Sequence, residues 1–173
     1  KQATDVISKS ADCQGCLQFR SASSAKETAA LWASRKALSP ALRKIAPKKI
    51  NEDIVVPVSR MPELITRLNA LSNKYAIQIV NFGHAGNGNI HTNLLIDPND
   101  GDQLQRAHQC LDEVFKLVLS LKGTLSGEHG VGLEKQPYIH LEIEPEVIAI
   151  MRNIKKVFDP KGLLNPDKVL PAD

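Results

Sequence analysis

The sequence is short of the features that would commit it to a membrane, a disulfide framework or a nucleic acid. No apolar run approaches the roughly 18 residues that a membrane helix needs. No secretory leader is visible, and the chain opens on Lys1 rather than methionine, as a segment cut at a processing boundary or from a longer protein would. Cysteine occurs three times, at Cys13, Cys16 and Cys110, too few and too uneven for a disulfide framework. Cys13-Gln-Gly-Cys16 has the spacing of a redox motif or half a metal site, but a structural zinc wants four ligands and no second pair completes it. A helix-end pair without function, in a reducing and therefore cytoplasmic setting, is the plainer reading. Aromatic residues number only seven (one Trp, two Tyr, four Phe), without the interleaving that base stacking requires. The net charge of +3 is spread along the chain. Its densest basic stretch, Arg43, Lys44, Lys48 and Lys49, is broken by Ile45, Ala46 and Pro47 and reads as a solvated loop, so no nucleic-acid partner is expected.

What is present suits one cored domain over residues 1–173: 42% of the residues are hydrophobic and 24% charged, with no repeat and no low-complexity tract. Helical and strand periodicities alternate. A short helix is expected over residues 3–12 and a strand over 17–20. Ser24-Ala-Lys-Glu27 is a capping box opening a helix that carries Leu31, Leu38, Leu42 and Ile45 on one face, and Pro40 should kink or end it near Ser39. Residues 53–58 read as a strand, followed by a helix from Ser59 or Pro62 with Leu64, Ile65, Leu68 and Leu71 inward. Strands at 76–82 and 90–96 flank the turn formers Ala85-Gly-Asn-Gly-Asn89, which predicts a hairpin. Residues 102–121 carry the clearest helical stripe, with Gly123 as its cap, and a last helix runs from Pro145 to just before Asp159-Pro160. Hairpins mixed with helical connections predict an α+β fold, a mainly antiparallel sheet with helices packed on one face.

Three of the five histidines fall in two glycine-rich motifs. In Gly83-His-Ala-Gly-Asn-Gly-Asn-Ile-His91, His84 and His91 bracket the hairpin turn, which brings side chains on one face to within about 5 Å at their Cβ atoms. Two imidazoles so placed can share a metal ion, although alone they are more plainly turn histidines bonded to backbone. The second motif, Ser126-Gly-Glu-His-Gly-Val-Gly132, adds Glu128 as a carboxylate to complete a two-His-one-carboxylate set. His129 is expected to point elsewhere and to serve as a base; the bland alternative is a glycine-rich turn with an exposed acid and imidazole. His108 and His140 lie in or near helices and read as surface residues. Arg35 stands in the apolar stripe of its helix, where a guanidinium is costly without a partner. A substrate carboxylate suits it bidentately, with Ser39 one turn on as a second donor, and an internal ion pair or a snorkelling side chain fits equally well. Asn93, two residues past His91 on the same strand face, asks for a partner that is either substrate or backbone.

Together these segments resemble the C-terminal domain of FAD-linked oxidases of the vanillyl-alcohol-oxidase-like group, in the branch of the glycolate oxidase flavin subunit, D-lactate dehydrogenase and D-2-hydroxyglutarate dehydrogenase. The resemblance rests on Leu31-Trp-Ala-Ser-Arg35, Asn51-Glu-Asp-Ile-Val-Val-Pro-Val-Ser-Arg60, both histidine motifs and Phe158-Asp-Pro-Lys-Gly-Leu-Leu-Asn-Pro166, and covers about residues 25–171. It implies that His84, His91 and Glu128 bind a divalent metal, zinc or manganese, and that His129 is the base. By the same resemblance Arg35, Ser39 and Asn93 contact a small D-2-hydroxy acid, and Asn165 lies near the flavin. FAD itself would be held mainly by an FAD-binding domain that precedes this region, so the chain alone should not turn over. An electron-acceptor subunit is a further implied partner, and the parent complex would be peripheral to the membrane at most. Departures are Asn87 where many relatives have Asp, Ser39 where some have Thr, and Asn51 where several have Lys, which puts a second cationic contact in doubt. A metal-dependent hydrolase and a non-catalytic metal-binding module remain as alternatives on the residues alone.

Overall fold

The computed structural model describes residues 2–11 and 16–171. Their contacts gather into two units, Lys1–Lys44 and Ile45–Asp173.

In the first unit, helix α1 covers Gln2–Ala11 and helix α2 covers Ala25–Leu42. The capping box forms: Glu27 N donates to Ser24 Oγ at 3.2 Å, while Glu27 Oε2 accepts from the backbone N–H groups of Ser24 (3.1 Å) and Ser23 (2.7 Å). One expectation fails here, and the helix end expected near Ser39 comes three residues later. Residues 17–20 form no strand, since a strand must satisfy its lateral N–H and C=O groups on a neighbour and this unit contains none among the described residues. Helix α2 also runs past Ser39 to Leu42, because Pro40 falls in its last turn, where little helix remains to be broken. Leu42 is buried, whereas Leu31 and Leu38 stay exposed. The Cys13–Cys16 spacing lies partly outside the described residues; Cys16 is exposed.

The second unit runs β1 (Lys48–Val55), a 3-10 turn (Val58–Arg60), α3 (Met61–Tyr75), β2 (Gln78–His84), β3 (Asn89–Ile96), α4 (Gly101–Ser120), a 3-10 turn (Gln136–Leu141) and α5 (Pro145–Phe158). The sheet is antiparallel throughout, in the order β1-β3-β2, with Lys48 opposite Ile96, Asp53 opposite His91, and His91 opposite Phe82. Alternation gives it two unlike faces. Ile54, Ile90, Leu94 and Ile96 point to one side and pack with Leu64 and Leu68 of α3 and Val114, Phe115 and Val118 of α4 in a single core. Lys49, Asn51, Asp53, Asn89, His91, Asn93, Phe82 and His84 share the other. The sheet with helices on one face is the α+β arrangement that the pattern implied.

Strand β1 begins five residues before its expected start and ends at Val55 rather than 58. Its polar first half looked like loop, but all eight residues of β3 are buried and template a partner along their whole length. Lys48 and Lys49 therefore open a strand instead of lying in a solvated loop. Helix α4 starts one residue early, with Asp100 accepting from Gln103 N at 2.9 Å. The left-handed residue after it is Lys122 (φ 62°), not Gly123. Glycine is required at 123 for another reason: a Cβ there would lie 2.1 Å from Val55 O. Among the described residues no helix is long and apolar enough to cross a membrane.

Candidate functional site

The four-residue turn 85–88 closes the hairpin so that His84 pairs with Asn89 and Phe82 with His91. His84 and His91 are thus diagonal neighbours on the polar face, their rings edge-to-face with centroids 5.6 Å apart.

The second motif reaches them from the outer edge of β1. Thr124 exchanges backbone hydrogen bonds with Val55 (2.9 and 3.1 Å), and Gly127 N donates to Asp53 O at 2.9 Å. Gly127 permits this approach, since a Cβ would lie 2.6 Å from Val55 Cγ2 and 2.9 Å from the Asn89 amide. The loop is then pinned by one fully buried carboxylate. Asp53 Oδ2 accepts from the successive N–H groups of Gly127 (3.0 Å), Glu128 (2.5 Å) and His129 (2.7 Å). Ser126 Oγ takes the next one, Gly130 N, at 2.8 Å. Lys135, also buried, bonds Asp53 Oδ1 and lies 3.4 Å from Glu52 Oε2. Burial opposes ionisation of Asp53, but the Lys135 ammonium and the N–H groups of Glu128 and His129 outweigh it and hold the carboxyl below the usual range. At Glu52 burial wins over Lys135, and the carboxyl is pushed up.

With the loop so held, Glu128 Oε1 lies 3.2 Å from His91 Nε2 and 3.9 Å from His84 Nε2. One ligand atom from each of His84, His91 and Glu128 falls within 4.8 Å of the other two. Two neutral imidazoles and a carboxylate at that separation are a donor set suited to zinc or manganese. Burial, with help from His129 and His84, holds His91 below the ordinary imidazole range against the pull of Glu128, which keeps its nitrogen lone pair available. The His91 side chain is 10% exposed, against 49% for His84 and 46% for Glu128, so the cluster has a closed floor and an open rim. His129 does not point elsewhere: its ring stacks on His91 at 5.4 Å and 22°. Its Nε2 is 3.8 Å from Glu128 Oε1, and its Nδ1 faces Asp53 Oδ1 at 3.6 Å.

Asn93 is fully buried, donating to Val80 O (3.0 Å) and His91 O (3.1 Å) and accepting from Lys49 Nζ at 2.9 Å. Arg35 and Ser39 are part-buried, one turn apart on α2 in the first unit. Asn165 sits in the exposed tail at φ 47°, beside a cavity of about 470 Å³ lined by Met151, Phe158 and Leu164. His108 and His140 are exposed, as expected. Sequence reasoning did not single out Asp53, Lys135 or Lys49. The available signal was an acid directly before the apolar run Ile54-Val-Val56, where a charge needs a buried partner.

Residues 1–169 match the family described as FAD linked oxidases, C-terminal domain. The chain is 36% identical over 169 residues to the glycolate oxidase subunit GlcD of Bacillus subtilis, covering 98% of this chain and 35% of that protein. It is 38% identical over 141 residues to the probable mitochondrial D-lactate dehydrogenase of Danio rerio (80% and 27% covered). Identity to the mitochondrial D-2-hydroxyglutarate dehydrogenase of Danio rerio is 35% over 150 residues (87% and 27%). The chain thus spans between about a quarter and a third of the length of these curated relatives. A family match over nearly the whole chain, agreeing with the observed antiparallel sheet, places this protein in the C-terminal domain family of the FAD-linked oxidases.

Proposed function

We propose that this chain is the substrate-handling part of a flavin-dependent dehydrogenase that oxidises a small D-2-hydroxy acid, of the glycolate or D-lactate type, to the 2-oxo acid. The observation that carries the reading is the meeting of the two histidine motifs: His84, His91 and Glu128 within 4.8 Å, with His129 stacked alongside. Relatives named for oxidising glycolate, D-lactate and D-2-hydroxyglutarate support the substrate class.

His84, His91 and Glu128 would hold a divalent ion, zinc or manganese, which supplies polarisation of the substrate hydroxyl. The flavin of the family supplies the acceptor for the hydrogen leaving C2 with its electron pair. This chain's residues do the rest. His129 Nε2, on the cluster side of its ring, takes the hydroxyl proton. Arg35 and Ser39 take the substrate carboxylate, the guanidinium matching its two oxygens. Asn93 turns its oxygen to Lys49, so the Lys49 ammonium presents positive charge on the same sheet face, two residues before Asn51. Asn165 meets the flavin from the tail. An FAD-binding domain is the partner this reading requires, an electron-acceptor subunit is one route by which the flavin is reoxidised, and the chain by itself is inactive.

Metal content of the purified chain, prepared without chelator or His tag, tests the reading. The wild-type chain should carry zinc or manganese near one equivalent, and His91→Ala should carry none. A metal-free wild type that also takes up neither ion on dialysis would refute the metal role.

A further inference from the structure

We propose that Asp53 is the positioning residue of the site, a buried carboxylate that sets both the backbone carrying Glu128 and His129 and the tautomer of the His129 ring. The inference rests on the reading of Glu128 as ligand and His129 as base, and adds what holds them there.

The two oxygens of Asp53 divide the work. Oδ2 gathers the N–H groups of Gly127, Glu128 and His129, and three donors converging on one oxygen call for an anion. Oδ1 bonds Lys135 and faces His129 Nδ1 at 3.6 Å. A carboxylate on that side favours the tautomer with hydrogen on Nδ1 and leaves Nε2 as the acceptor. That nitrogen is the one turned toward Glu128 and the cluster. Lys135 balances the buried charge and holds the carboxylate by its other oxygen, Oδ1. Both residues are all but inaccessible to solvent, at 0% and 4% exposure, so they act through the loop and not on a ligand. An asparagine at 53 would keep one acceptor oxygen but turn its NH2 toward either Lys135 or the loop amides, all of them donors.

The test uses the full chain without metal, at about pH 8, where imidazole is neutral. Nitrogen-15 NMR reads the His129 tautomer, and calorimetry with Mn²⁺ reads affinity separately. Wild type should show the Nδ1–H tautomer. Asp53→Asn should shift toward Nε2–H and lose about tenfold to a hundredfold in Mn²⁺ affinity. If Asp53→Asn does not fold, Asp53→Asn/Lys135→Met, which removes both partners of the Asp53–Lys135 pair, carries the same comparison. A wild-type His129 with hydrogen mainly on Nε2 overturns the inference without any variant. So does a folded variant whose tautomer and affinity match wild type. A wild type that binds no Mn²⁺ overturns the metal reading instead, while the tautomer still decides the role of Asp53.

Discussion

At the scale of single residues, the unusual investment is in buried charge. Asp53 and Lys135 form an ion pair with 0% and 4% of their side chains exposed. Removing one partner of such a pair leaves the other desolvated and unpaired, which costs about 3–5 kcal/mol, whereas removing both is often close to neutral. Lys135→Met should therefore lower unfolding free energy in denaturant by that amount, and Asp53→Asn/Lys135→Met should recover the part due to Asp53, since Glu52 Oε2, 3.4 Å from Lys135 Nζ, still loses its partner. Equal losses in the single and double variants would mean that Lys135 contributes packing and not charge. By contrast Cys110, whose thiol burial raises to about 11 with Glu113 adding to the effect, has the environment of an inert core residue.

At the scale of elements, the turn after α5 is held by one acid. Asp159 accepts from Leu163 N and Leu164 N (both 2.9 Å) and from Lys155 Nζ (2.6 Å). The Lys155 hydrogen bond first, then those backbone donors, lower its pKa from 3.8 to about 2. A carboxyl depressed on folding contributes stability that is fully present above its unfolded value and is lost as pH falls through the folded one. Asp159→Asn should thus be less stable than wild type near neutrality, with the difference closing between about pH 4 and pH 2. Unfolding of both proteins across that window checks it, and a difference that persists at pH 2 would assign the loss to something other than this charge. The β2–β3 hairpin makes the complementary point. It places His84 and His91 through its register, and a slip of one residue between its strands would send one of the two imidazoles to the core face.

At the scale of the whole molecule, the site ties segments far apart in sequence: the hairpin, β1 and the loop of residues 126–130. A ligand that binds only the folded arrangement stabilises all of it by mass action, about 2.7 kcal/mol at a hundred times its Kd. Manganese at that excess should raise the melting temperature of the wild-type chain by about 5–10 °C. His91→Ala should show no shift, and an equal shift in both proteins would mean that the ion binds elsewhere. Helix α5 carries an exposed apolar face that includes Ile150, Ile154, Val157 and Phe158.

Periodicity and turn chemistry determined much by themselves. The amphipathic stripe of α4, the capping box of α2, the hairpin at 85–88 and the end of α5 before Asp159-Pro160 are local, and local hydrogen bonding and alternation are written in consecutive residues. The histidine motifs were legible for the same reason, and so was the family they resemble. Tertiary structure alone decided the rest. Strand β1 extends back to Lys48 because β3 offers it a full-length partner, and residues 17–20 form no strand because the described residues of their unit offer none. Glycine is needed at 123 because of a carbonyl on a distant strand, not because of the helix it follows. His129 joins the cluster rather than leaving it because Asp53, some seventy-five residues earlier, gathers the amides beneath it. Pairing, burial and charge compensation depend on which segments meet, and that is settled by the core that α3 and α4 build against the sheet.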